Sequence, residues 1–370
     1  MLYVFPDYYK KFTCLADACD DTCCAGWQIV VDEKSLNKYA RVRGSFRGRL
    51  LKSINWKEKT FKQSPDKRCA FLNQQNLCDM QLALGEKSLC KTCSRYPRHM
   101  EEFENVREIT LSISCPEVAR ILLNHKEPVA LLSFEKEGQE EFEDFDPFLY
   151  FQLTEARDVI RKILQERSMA VDVRAGLILG IAHDMQVRVN RQELFACSEV
   201  LEKYQKQSAM EFIEKKLKER YADKRQCYRK AIELFSKLHQ LELLHEDWEE
   251  HLRECQYLLY DRGEEEYFEL HEKFAKWLAE KLPDASIWWE QLLVYFVDTY
   301  FCGAVYDGRV YNKTGMAVSS LFYIYEMLTA RWLKNDCDLD MEDVVMIVYR
   351  YSREVEHSDL NLERIEHFWK

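Results

Sequence analysis

The sequence predicts a mainly α protein. A small, irregular, cysteine-rich metal-binding N-terminal domain (1–126) leads through an acidic connector (127–147) to a helical bundle (148–370). Three observations carry this. Glycine (11) and proline (7) are scarce in 370 residues, which counts against all-β and glycine-rich doubly wound folds. Nine of the fourteen cysteines fall within residues 1–115. From about Phe148 onward, apolar residues recur at helical spacing. Charge divides the chain in the same way. Residues 1–120 hold 20 Lys and Arg against 15 Asp and Glu, and the remainder holds 33 against 49. The net charge of −11 disfavours a nucleic-acid partner, whose binder carries a basic surplus.

Met1 to Lys10 (MLYVFPDYYK) has no basic, apolar and small-residue succession of a secretory signal. No uncharged apolar run approaches the roughly 20 residues of a membrane span, so the expectation is a cytoplasmic chain without a membrane partner. Six of the seven prolines lie at or before Pro147, which predicts short, interrupted elements there. Phe134 to Phe148 (FEKEGQEEFEDFDPF) reads as an exposed acidic connector. Beyond it, Leu149, Leu153, Ala156, Ile160, Ile163 and Leu164 mark a helix, as do Ile232, Phe235, Leu238 and Leu241. Segments 286–304 and 315–334 are apolar on most faces and belong at the centre of the bundle. Glu290 and Asp298 interrupt the first of these and require partners, with Arg309 and Arg331 as options. His183 and His245 read as structural residues of amphipathic helices.

The cysteines form two clusters: Cys14, Cys19, Cys23 and Cys24, then Cys69, Cys78, Cys90 and Cys93, with Cys115 beyond. In a reducing compartment such clusters favour metal ligation over disulfides. Thiolates are soft donors, and four of them satisfy either tetrahedral zinc or a cubane iron–sulfur cluster. Cys90 and Cys93 have a spacing that lets both sulfurs reach one metal, whereas adjacent Cys23 and Cys24 point their sulfurs apart. Nine thiols serve two four-thiolate sites with one to spare, or one site plus structural thiols. The gaps do not match a zinc ribbon, and Gly26 stands where a C-x3-C-x2-C radical motif needs its third cysteine.

Phe12, Cys14, Cys19, Cys23, Cys24, Gly26 and Trp27 resemble the opening of flagellin lysine-N-methylases, as do Asp32 and Tyr39. The likeness continues through Cys69, Phe71, Leu72 and Cys78, then Leu84 to Glu86, Leu89, Cys90, Cys93, Tyr96 and Pro97. It extends through Ser112, Ser114 to Glu117, Ala119 and Arg120, and reappears at Arg350 to Ser358 (RYSREVEHS) with Asn361 and Leu362. The resemblance implies methyl transfer from S-adenosyl-L-methionine to lysine side chains of flagellin in the cytoplasm. It also implies a cysteine-bound metal centre: a 4Fe–4S cluster, with zinc as the alternative. The cysteine pattern by itself supports only metal binding. A non-catalytic zinc- or iron-chelating module and a redox iron–sulfur protein therefore stay open as alternatives.

No G-x-G-x-x-G follows an apolar strand, so a Rossmann-type donor site lacks its signature. A lysine amine of pKa ≈ 10.4 costs roughly 4–5 kcal/mol to deprotonate at neutral pH, so desolvation and a proton acceptor are required. Arg350, Arg353, Glu354 and His357 share one stripe of the last strong helix, opposite Val344, Val348, Tyr351 and Val355. Arg353, Glu354 and His357 are the candidate catalytic groups, and Arg350 and Tyr351 the candidate donor-binding pair. An ordinary solvated face laced with ion pairs is the plainer reading of the same stripe. Tyr295, Tyr300, Tyr306, Tyr311, Tyr323, Tyr325 and Tyr349 supply aromatic surface nearby, most of it expected in the core.

Overall fold

Helix makes up 63% of the computed structural model and strand 9%, so the mainly α class holds. It describes residues 1–19, 21–138, 142 and 144–369. The short apolar run at the N-terminus becomes strand β1 (Leu2–Pro6), which sits inside a sheet with β2 (Arg98–Phe103) and β3 (Val106–Leu111). Helix α1 (Pro116–Leu123) follows, with Pro116 at its first turn, where a missing N–H costs nothing. Strand β4 (Leu131–Glu135) completes the order β2-β3-β1-β4. β1 runs parallel to β3 (Leu2 opposite Val106) and antiparallel to β4 (Pro6 opposite Leu131). Part of the stretch read as a connector is thus an edge strand, because β1 offers it an open edge. Residues 139–141 and 143 of that stretch lie outside the described residues.

Helix α2 (Pro147–Leu164) starts where Asp146 accepts hydrogen bonds from the amides of Phe148 and Leu149. It packs on α3 (Val171–Asn190), which packs in turn on the long helix of residues 310–334. Helices α4 (Trp248–Leu259), α5 (Ala285–Tyr300) and α6 (Val310–Lys334) surround the centre, and the two segments expected there are α5 and α6. Helix α7 (Met341–Glu356) opens with a capping box between Asp340 and Asp343. No helix among the described residues is long and apolar enough to cross a membrane.

The buried residues form two cores. A large one joins α1 to α7 with Tyr8, Phe103 and Leu111. A small one holds eleven residues between Ile29 and Cys90, including Val31, Tyr39, Phe61, Phe71 and two of the cysteines. The N-terminal region therefore does not separate from the bundle at residue 126, because β1, β3 and α1 pack into the large core. Only the lobe around residues 29–90 has a core of its own.

Candidate functional site

The side chains that draw the small lobe onto the bundle come from the end of α7. Arg353 is 1% exposed. Its guanidinium pairs with the Asp21 carboxylate at 2.6 Å and donates to the Asp21 carbonyl at 3.0 Å. Its Nε donates to the Ser114 carbonyl at 2.9 Å, and Tyr349 lies beneath it at 5.0 Å. One buried cation thus holds the loop between Cys19 and Cys23 and the turn before Cys115. Glu354, also 1% exposed, accepts from the amides of Leu244 and His245 at 3.0 and 2.9 Å and pairs with His245 Nδ1. These two residues are as enclosed as Val348. The expected contrast between a charged stripe and a buried one does not exist here, because their partners arrive from distant segments.

His245 lies in the loop before α4 rather than in a helix. Its ring fills the space beside Gly26, where a Cβ would stand 2.2 Å from Nε2. Gly26 also has φ +87°, so the position needs glycine on both counts. Trp27 then turns its ring onto His357, with centroids 4.5 Å apart, and donates Nε1–H to the Cys23 carbonyl at 2.8 Å. His357 Nε2 lies 2.9 Å from Ser114 Oγ, while its enclosed Nδ1 has no hydrogen-bond partner among the described residues. Burial, with Arg353 and His245 nearby, pushes the imidazole down to about 3, so it is neutral at physiological pH.

Behind His357 a second carboxylate stands among hydroxyls. Glu356 accepts from Tyr295, Tyr300 and Ser352 at 2.5, 2.7 and 2.5 Å, and from Ser112 at 3.4 Å. Ser112 Oγ is 2.7 Å from Ser114 Oγ, which also meets the Tyr96 hydroxyl at 3.1 Å. Burial raises the Glu356 carboxyl above its ordinary range.

The nine N-terminal cysteines divide into two neighbourhoods. Cys24, Cys69, Cys78, Cys90 and Cys93 border the small core, and their mutual charges act on one another. Cys19, Cys23 and Cys115 face Arg353, and Cys14 is exposed beside Cys19. The adjacent pair Cys23 and Cys24 is where the neighbourhoods meet. A hydrogen bond from Cys23 pulls the Cys24 thiol down to about 7, and one from Cys93 lowers Cys90. Burial pushes Cys69 up to about 12 and Cys115 to about 11. Among the described residues, no three Cys, His, Asp or Glu side chains converge tightly enough to hold a metal ion. Five soft donors, two of them eased toward thiolate and all crowded in an apolar shell, nonetheless suit a thiophilic cation in chemical type.

Arg350 pairs with Asp247 at 2.6 Å on the rim of a cavity of about 270 Å³ that His251, Cys255 and Met346 also line. Tyr351, expected to bind the donor, is 0% exposed, and its hydroxyl meets Ser320 Oγ at 2.9 Å in the large core. A ring enclosed on every side has no face left for a ligand, so that expectation is corrected. Glu290 pairs with Arg167 and Arg174, not with Arg309 or Arg331, and Asp298 faces Arg161 at 3.5 Å.

Residues 157–370 match the family model described as the FliB lysine N-methylase C-terminal domain. The chain belongs to this lysine N-methylase family. The match contains the Arg353, Glu354, Glu356 and His357 segment. A flagellar biosynthetic protein FliU from Salmonella muenchen is 35% identical over 135 residues, covering 34% of this chain and 79% of that protein. Lysine-N-methylases from Salmonella typhimurium and Salmonella choleraesuis are 34% identical over 135 residues. That stretch covers 34% of this chain and only 33% of each relative. No solved structure matches. The sequence pattern gave no role to Asp21 or Glu356 and placed His245 in a helix. For Glu356 a signal existed: it follows Ser352 by four residues, on the edge of the Val348–Val355 stripe.

Proposed function

We propose that the chain transfers methyl groups from S-adenosyl-L-methionine to lysine side chains of flagellin, at the seam between the cysteine-rich lobe and α7. A cysteine-held metal centre supports the seam. Membership of the lysine N-methylase family supports the reaction class. The observation that carries the location is Arg353, which reaches from the family-matched helix into the cysteine loop and is fully enclosed there. The name of the flagellar biosynthetic relative supports the flagellar substrate.

In this reading four of the five thiols Cys24, Cys69, Cys78, Cys90 and Cys93 hold a 4Fe–4S cluster, with zinc the alternative. Cys14, Cys19, Cys23 and Cys115 sit with Arg353 at the seam. When bound, the metal centre supplies positive charge that lets crowded thiolates coexist. Arg353 and Glu354 act as positioning residues, because both are saturated by the loops they hold. His357 is the group with a nitrogen to spare, walled by Trp27 and Tyr96, surfaces suited to a cationic ligand.

The test is direct. Anaerobically purified protein is incubated with the donor and flagellin, and the flagellin is weighed and mapped for methylated lysines. Added methyl masses on lysine are expected. Unmodified flagellin from metal-loaded protein refutes the reading. Absorption near 400 nm (roughly, for thiolate-bound clusters) together with metal analysis separates iron from zinc.

A further inference from the structure

The seam contains a continuous hydrogen-bonded line that the positioning roles above do not use. It runs from His357 Nε2 to Ser114 Oγ (2.9 Å), on to Ser112 Oγ (2.7 Å), and ends at Glu356 Oε2 (3.4 Å). Its outer end, His357 Nδ1, is enclosed and lacks a partner among the described residues. Its inner end is a carboxylate with no ion-pair partner among the described residues, unlike Glu290 with its two arginines. A partly buried carboxylate whose hydrogen-bond donors are all hydroxyls is arranged to gain or lose a proton rather than to keep a fixed charge.

We propose that Glu356 is the terminal proton acceptor of this line and takes up the proton that the substrate lysine sheds on becoming a nucleophile. The proposal rests on the methyl-transfer reading. The lysine N–H bond breaks, and its electron pair stays on the nitrogen. The proton goes to His357 Nδ1 while His357 Nε2–H passes to Ser114 Oγ, the Ser114 proton to Ser112 Oγ, and the Ser112 proton to Glu356 Oε2. No oxidant or further reactant is needed. Glu356 touches no reactant and acts through the two serines and His357.

The surroundings favour this direction of transfer. His357 faces Arg353 on its own helix, His245 from the loop before α4, and Trp27, Tyr96 and Ser114 across the seam. Two cationic or potentially cationic neighbours keep imidazolium from persisting, so a proton arriving there moves on. Glu356 faces Tyr295 and Tyr300 from α5, Ser112 from the turn after β3, Ser352 from its own helix and His99 from β2. Burial makes it a better proton acceptor than an exposed carboxylate.

The test compares wild type, Glu356→Gln and Ser112→Ala for methylation of flagellin across pH. Glu356 must be ionised to accept, so wild-type kcat falls as pH drops through its raised pKa. Glu356→Gln is expected to lose about a hundredfold in kcat with KM for flagellin unchanged, and to lose that acid limb. Ser112→Ala leaves Glu356 its two tyrosines and carries the test should the glutamine variant fold poorly; it is expected to lose kcat and retain KM. An active wild type with both variants keeping its kcat and pH profile overturns the relay alone. An inactive wild type overturns the methylase reading, and the relay with it.

Discussion

The small lobe and the helical body solve the same problem in opposite ways. The body buries apolar side chains on α2, α3, α5, α6 and α7 in one continuous core. The lobe has a core of eleven buried hydrophobic residues, two of them cysteines, and only short helices and a two-residue hairpin around them. A core of that size gives roughly 3–5 kcal/mol at best, and domains this small are commonly stapled by metals or disulfides. Its thiols are free. The body can fold on burial alone, while in the reading proposed above the lobe depends on what its sulfurs hold and on the straps that tie it to α7.

The largest expected effect breaks the lobe and spares the body. A structural thiolate site contributes on the order of 10 kcal/mol to the fold it closes. Cys90→Ser, or metal removal by chelation, should therefore expose residues 29–90 to limited proteolysis while the helical circular dichroism of the body persists. If chelated protein shows wild-type protection in this region, the lobe stands without a metal and the contrast collapses.

Much of the body was legible from sequence, and most of the seam was not. The apolar pattern located α5 and α6 because burial on nearly every face leaves a composition that can be read locally. The cysteine clusters were legible as clusters, yet their division into two neighbourhoods was not. It depends on Cys23 reaching Arg353 and Cys115 while Cys24, hydrogen-bonded to it, borders the small core. Strand β1 was invisible because its partners lie about a hundred residues away. Arg353 and Glu354 looked like solvated helix charges for the same reason. Asp21 and the amides of residues 244 and 245 are what make their burial tolerable.

Cutting a strap sharpens the comparison next. Arg353→Met removes a buried guanidinium of similar length and leaves the Asp21 carboxylate and the Ser114 carbonyl without their donors. Asp21 is about a third exposed and can be solvated, so the cost comes from the buried carbonyls left unpaired, about 1–3 kcal/mol each. In this protein the cost should appear as undocking: protection is lost around residues 19–27 and 112–115 in hydrogen exchange, with α5 and α6 unchanged. Uniform destabilisation of both regions would mean that Arg353 belongs to the body's own core and is no strap.

Gly26→Ala is the smallest of the three and the most local. A non-glycine residue at φ +87° is strained by about 1–3 kcal/mol. The new methyl also meets the His245 ring, which cannot swing away freely because Glu354 holds Nδ1. The two contributions separate in a double-mutant cycle. His245→Ala removes the obstruction and leaves the backbone strain, so the double variant should recover part of the loss and retain the rest. Thermal melts of the four proteins measure this. Full additivity would show that His245 yields to the methyl, and that Gly26 is required only for the turn that delivers Trp27 to His357.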